Sequence, residues 1–321
     1  MRKTLNVILI FFYIIVFAEL VLISFSKFFK ISTLEKLKYA NDFVINNNSN
    51  NVYKSHRKNF SDNIMGVDLR FNSLGFRGTD IQTIKELNEK RIMVLGSSLV
   101  MGWGVKEDKT FTKVLEKKIN VKNQNNYKIN TVNTGIMHTN TKFHYHLFQN
   151  NYKKINPDIL ILGYFVDDAK ELSKKKTPFI VKYSYLGAII YQKIVSRSSE
   201  NLNDYYLRIN NESSKNWLEV KKYIKKIKEI CDKEDIDFVV IILPDFSNFS
   251  DYNSLGNLYT DLENRLNDIM ILNINPYKTL QVKFGDDPRK SWISNDDNHP
   301  NEKANEIIAD EIYTFINNKK L

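Results

Sequence analysis

Ser98 and His299 are the residues whose types and surroundings best suit nucleophilic chemistry. Ser98 closes the run Arg91 to Ser98 (RIMVLGSS), in which a short apolar stretch rich in β-formers breaks at Gly96-Ser97-Ser98. That pattern places the serine at the carboxyl end of a buried strand, the edge at which open α/β sheets handle ligands. His299 is one of only five histidines, and Asp296 and Asp297 precede it at three and two positions. A serine hydroxyl needs a base to take its proton, and an imidazole needs an anion to fix its tautomer and stabilise its charged form. The set suits a Ser-His-Asp relay, with either aspartate free to serve as the acid.

The elements that must hold these residues alternate regularly. From Arg91 the pattern predicts strands at Ile92 to Leu95, Ile129 to Asn133, Ile159 to Tyr164, Phe238 to Leu243 and Ile271 to Ile274. Between and after them come helices at Phe111 to Ile119, near Lys142 to Tyr152, Trp217 to Cys231, Leu258 to Leu266 and Glu302 to Ile316. Alternation of this kind gives a parallel sheet with helices on both faces. His299 and Pro300 then fall in a loop that leads into the last helix. The rhythm is lost between Ala169 and Ser214, where Tyr183 to Ile194 (YSYLGAIIYQKI) suits an amphipathic helix. That helix could wall the site, pack on the domain or lean on a membrane.

Composition narrows the classes further. An apolar content of 42% and an aromatic content of 12% over 321 residues are ample for a core. The single Cys231 excludes a disulfide framework and a cysteine-based zinc site, and it reads as a small buried hydrophobe in a helix. His144 and His146 are two apart on one helix and do not face each other, so no metal site is expected. Neither a GxxxxGK[ST] loop nor a GxGxxG fingerprint is present. The net charge of +10 is spread over scattered lysines, which argues against nucleic acid as a partner and is compatible with an anionic lipid or envelope polymer. Leu5 to Phe25 is a nearly continuous apolar run, broken by Asn6 and Glu19, preceded by Arg2 and Lys3 and followed by no small-x-small cleavage pattern. It reads as an uncleaved, single-pass transmembrane signal anchor over residues 1–30. A polar, Asn-rich spacer over 31–70, with Asn46 to Asn51 flexible, would follow it.

Four blocks, in order, resemble the SGNH (GDSL-type) hydrolases. They are Gly96-Ser97-Ser98 with its extension LVMGWGV, Asn133-Thr134-Gly135, Gly163 to Asp168 (GYFVDD), and Asp296 to Asn301 (DDNHPN). The lead-in FNSLGFRG, Phe71 to Gly78, is similar to that of membrane-anchored members; its lone Arg77 reads as a packing residue. The resemblance spans about Asn72 to Phe315. It implies a flavodoxin-like three-layer α/β/α domain with a mostly parallel five-stranded sheet over 71–321, interrupted by an insertion at 169–214. It also implies Ser98 as nucleophile, His299 as base, and an oxyanion hole of the Ser98 and Gly135 N-H groups with a side chain at position 167. As triad acid it favours Asp296, at the commoner three-residue spacing, over Asp297. Two residues depart from the family: Ser97 replaces its Asp, and Asp167 replaces the Asn that donates to the oxyanion. An ionised Asp only accepts, and would repel the developing charge; burial beside Asp168 could keep it protonated.

The activity so implied is hydrolysis of a short acyl ester, such as acetyl, on a carbohydrate or lipid, through an acyl-serine and without a cofactor. The domain would lie outside the cytoplasm. Two alternatives remain beside it. One is an O-acetyltransferase working with a partner in envelope biosynthesis. The other is a non-catalytic SGNH-fold protein that binds glycan or an assembly partner.

Overall fold

Val, Ile, Leu and Phe dominate five strands at the centre of the computed structural model: β1 (Glu89–Gly96), β2 (Lys128–Asn133), β3 (Ile159–Phe165), β4 (Asp237–Leu243) and β5 (Leu272–Ile274). The structure describes residues 2–28, 30–47, 52–82, 84–122, 127–172, 179–197, 201–249 and 255–319. The strands form one sheet in the order β2-β1-β3-β4-β5, and every neighbouring pair is parallel. Ile92 to Leu95 and Val239 to Leu243 are buried throughout, as strands covered on both faces must be. Crossovers between parallel strands are right-handed, so the reversal of winding at β1 sends helices to opposite faces. Phe111–Lys122 packs with Glu302–Lys319, and Thr141–Ile155 packs with Lys215–Lys233. The expected three-layer, five-stranded architecture is the one observed.

Glycine lets the nucleophile segment settle on this sheet. Gly96 on β1 is in register with Gly163 on β3. A Cβ on either would come within 2.2 or 2.5 Å of Val100 Cγ2, which lies in the short helical turn Ser98–Met101. The turn can sit low over the strand ends only because both positions lack a side chain.

Residues 31–70 depart from the expected spacer. They form a helix at Ser32–Lys38, paired strands at Val44–Asn46 and Lys54–His56, and a hairpin of Phe60–Ile64 with Val67–Phe71. Leu34, Tyr39 and Phe43 are buried, and Tyr39, Phe43 and Phe71 share a cluster with Met101, Trp103 and Met137 from the region of Ser98. The apolar residues are sparse and irregularly spaced along the sequence, so the segment looks polar, but its fold gathers them on one side. Much of Asn46 to Asn51, expected to be flexible, lies outside the described residues. The ordered body therefore starts near Ser32, not at residue 71.

The N-terminal helix Arg2–Phe28 includes a stretch, Lys3–Phe25, with a mean hydropathy of 2.8 and no fully buried residue in its apolar core window. It is long and apolar enough to cross a bilayer, or to act as a signal sequence. In the insertion, helices occupy Phe179–Tyr183, Tyr185–Arg197 and Leu202–Ile209. A turn at Ser184 breaks the single helix expected over Tyr183 to Ile194.

Candidate active site

The turn after β1 and the hairpin before the last helix bring distant residues together. His299 Nε2 lies 2.8 Å from Ser98 Oγ, and His299 Nδ1 lies 2.5 Å from Asp297 Oδ1. His299 is in a short strand, Asp297–Pro300, paired antiparallel with Trp292–Ser294, and not in the expected loop. The hairpin is held by Asn301, whose side-chain amide donates to the carbonyls of Lys290 and Trp292. Asn301 also receives Ala304 N on Oδ1, tying the hairpin to the start of Glu302–Lys319.

Asp297, not Asp296, contacts the imidazole. In a strand, side chains alternate faces and residues two apart share one, so Asp297 and His299 point the same way. Asp296 faces away and accepts from Ser32 N at 3.1 Å and Ser294 Oγ at 2.6 Å. The preference for Asp296 from three-residue spacing does not match this geometry.

Asp297 is 2% exposed and its carboxylate is fully engaged. Oδ1 receives the His299 backbone N–H at 3.2 Å as well as the ring nitrogen. Oδ2 receives Ser32 Oγ at 2.5 Å, Trp103 Nε1 at 3.0 Å and Lys36 Nζ at 3.0 Å. Burial alone would raise its pKa, but the hydrogen bond and charge of His299, with Lys36 and Ser32, outweigh it and hold the carboxyl far below the usual range. Sequence reading missed Ser32, Lys36 and Trp103, which are up to 265 positions away from Asp297; no local signal marks them.

Ser98, His299, Asp167, His138, Asp245 and Lys36 line one cavity of about 210 Å³. A second cavity of about 230 Å³, beside Glu89, Lys113 and Asn130, contains neither Ser98 nor His299. Ser98 opens its helical turn, where backbone N–H groups have no partner within the helix. Arg77, 5% exposed, fixes the other end of the turn by donating to the carbonyls of Met101, Gly102 and Val105. Burial lowers its pKa to about 10.

Gly135 is placed differently from the expectation. Its N–H donates to Asn133 Oδ1 at 3.1 Å, and a Cβ there would meet Met101 N at 2.3 Å. The glycine thus permits close approach beneath the serine turn, and its N–H is already paired. The cavity wall on this side is Met137 and His138. His138 has φ 56°, uncommon for a residue with a side chain, and its carbonyl accepts from Lys54 Nζ at 3.2 Å.

Asp167 reaches the cavity and is ion-paired with Lys170. Burial raises its pKa, opposed by Lys170 and a hydrogen bond from Tyr205. Its neighbour Asp168 is buried and accepts Phe165 N at 3.1 Å; burial pushes this carboxyl well above the usual range. Ser97 is buried beside Asp168, whose carboxyl its hydroxyl helps to hold. Asp245 follows β4, accepts Ser247 N at 2.7 Å, and is also pushed upward by burial. Of the histidines outside the relay, His144 is buried against Thr139 Oγ1 at 2.9 Å, and His146 packs against Tyr145 and Tyr223. Among the described residues no group of His, Cys, Asp and Glu could hold a metal ion.

No family model matches the sequence, and no curated protein does. Several solved structures are similar in backbone. An acetyl xylan esterase is 12% identical with a TM-score of 0.45, over 70% of this chain and 98% of its own. A member of the lipolytic G-D-S-L family from Veillonella parvula is 14% identical with a TM-score of 0.40, over 70% and 97%. A psychrotrophic esterase from Pseudoalteromonas is 13% identical with a TM-score of 0.42, over 72% and 98%.

Proposed function

We propose that this chain is a membrane-anchored serine esterase of the SGNH type. The observation that carries the reading is the continuous path Ser98 Oγ, His299 Nε2, His299 Nδ1, Asp297 Oδ1, with links of 2.8 and 2.5 Å. Ser98 Oγ attacks the acyl carbon while His299 Nε2 takes its proton, and Asp297 stabilises the imidazolium. The tetrahedral intermediate collapses, the alcohol leaves with the proton from Nε2, and an acyl-serine remains. Water, deprotonated by His299, then releases the acid and restores Ser98. The oxyanion is held by the Ser98 N–H together with the N–H of His138, a lining residue of the same cavity, in the role expected of Gly135. Asp167 lines the same cavity and serves as a third donor only in its protonated form, which burial favours and Lys170 opposes.

A cavity of about 210 Å³ with Leu99, Phe165 and Leu202 in its lining suits a short acyl group, on an alcohol such as a sugar or lipid headgroup. On this reading residues 3–25, long and apolar enough to cross a bilayer, anchor the chain with its domain outside the cytoplasm. A non-catalytic binding role is favoured by one observation, an acid, Asp167, lining the cavity of Ser98 where the resemblance calls for an amide donor.

Fluorophosphonate labelling of the full chain separates the two. Labelling that is lost in Ser98→Ala and His299→Ala is expected. A folded wild type that does not label overturns the esterase reading in favour of binding.

A further inference from the structure

Glu19 is the only acidic residue between Arg2 and Phe28, and it lies inside the apolar run. A charged side chain at the centre of a bilayer costs about 2.5–3.5 kcal/mol on insertion scales. Here the carboxylate is not left unpaired. Oε1 accepts Tyr185 N at 2.6 Å, and Oε2 accepts Ser184 Oγ at 2.9 Å and Leu186 N at 3.0 Å. Those backbone donors belong to the first turn of the helix Tyr185–Arg197, where N–H groups have no partner in their own helix and the helix dipole favours an anion. Ser184 Oγ in turn accepts Gly187 N at 2.9 Å. One acid in the N-terminal helix therefore caps a helix from 165 residues further along the chain.

A second tie fixes the level of the other end. Thr33 Oγ1, beyond the apolar run, donates to the side chain of Gln192. Glu19 lies about 9 Å below Phe25 along the helix axis, at 1.5 Å per residue. The two ties make Tyr185–Arg197 run alongside the last third of the N-terminal helix, starting below the level of Phe25 and emerging near Thr33. The preceding helix Phe179–Tyr183 packs closely enough that a Cβ on Gly187 would meet Ile180 O at 2.7 Å. Phe179, Ile180, Ile190 and Ile194 nevertheless stay at 49% exposure or more, and no acidic residue occurs between 179 and 197.

We propose that residues 179–197 are a re-entrant hairpin, its apolar face seated in the same bilayer leaflet as the end of the N-terminal helix, with Glu19 as its internal cap. Irregular backbone at membrane depth is tolerated where protein groups satisfy it, and Glu19 does that for the turn at Ser184. A lipid occupant follows from the continuity of the exposed face with a helix of bilayer-spanning length. Leu202, five positions after the hairpin's last residue, lines the cavity of Ser98, so the hairpin holds that cavity beside the membrane surface. The inference rests on the membrane-spanning reading of residues 3–25.

The test is depth-dependent quenching of an environment-sensitive fluorophore in the full chain. The protein carries Cys231→Ala and is reconstituted in phosphatidylcholine and phosphatidylglycerol vesicles. A label at Ile190→Cys is expected to lose its emission to acyl-chain nitroxide lipids, as does one at Ile14→Cys in the N-terminal helix, and to resist aqueous iodide. Glu19→Ala should move the label at residue 190 towards iodide and leave residue 14 unchanged. Quenching at 190 by iodide with residue 14 still lipid-quenched overturns the hairpin and leaves the anchor standing. Protection of residue 190 from both quenchers, with cross-linking to a second copy, overturns it in favour of a protein contact. If neither label meets lipid, the anchor fails and the hairpin with it. An unchanged profile in Glu19→Ala overturns the capping role.

Discussion

Ser32→Ala and Lys36→Met, made singly and together in the full chain, remove two of the three donors that hold Oδ2 of Asp297. A hydrogen bond to a charged group is worth about 1.5–3 kcal/mol net, and the buried bond from Ser32 takes that range. Lys36 keeps 34% side-chain exposure, so screening holds its share nearer 1 kcal/mol. If the whole sum of about 2.5–4 kcal/mol were felt at the transition state, the rate would fall by about 10² to 10³. Trp103 and both His299 donors remain, so the expected loss in kcat/KM is about tenfold for Ser32→Ala and up to about 10² for the pair. The assay is the second-order rate of fluorophosphonate labelling, with thermal unfolding as a folding control. A second readout separates positioning from bulk structure. Lys36→Arg keeps a cation within reach of Oδ2 and should recover most of the labelling rate that Lys36→Met loses, with the same thermal stability in both. Wild-type rates in stably folded variants would refute the reasoning and reduce Ser32–Lys38 to a packing element. A fragment starting at residue 52 should be slow for the same reason, and less stable, since it also loses buried Leu34, Tyr39 and Phe43.

Asp297→Asn should lower kcat/KM by about 10⁴, because the amide no longer fixes the tautomer or stabilises the imidazolium; Asp296→Asn should stay close to wild type, and the reverse outcome in ester hydrolysis would restore Asp296 as the acid. Asp167→Asn supplies a donor at every pH. It should raise hydrolysis, by up to about 10² where wild-type Asp167 is ionised; no rise places Asp167 away from the oxyanion. Burial lowers the His144 pKa to about 3, against about 6.5 when unfolded. The unfolded chain then binds a proton between those values that the fold does not. Stability from the neutral imidazole is full above about pH 6.5 and falls as pH drops towards 3, at up to about 1.4 kcal/mol per unit. Thermal unfolding at pH 7 and pH 4.5 should show a smaller drop for His144→Phe than for wild type.

The sequence by itself determined the sheet, because strand runs such as Phe238 to Leu243 are apolar throughout and are separated by helices of clear period. It also singled out Ser98 and His299, since a serine after a glycine-broken strand and a histidine flanked by acids are local features. Which acid meets the imidazole was not local: it depended on a two-residue hairpin register that turns Asp297 inward and Asp296 outward. The role of residues 31–70 was hidden for a related reason. Their apolar side chains follow no helical or strand period over any useful window, and acquire a common face only when packed on Trp103 and Met137. Gly135 illustrates the limit from the other side, because a glycine that admits Met101 and one that bares its N–H to a ligand leave the same letter in the chain. The partnership of Glu19 with Ser184, Tyr185 and Leu186 was likewise beyond sequence reading, since a lone acid in an apolar helix declares a cost but not the donors that offset it.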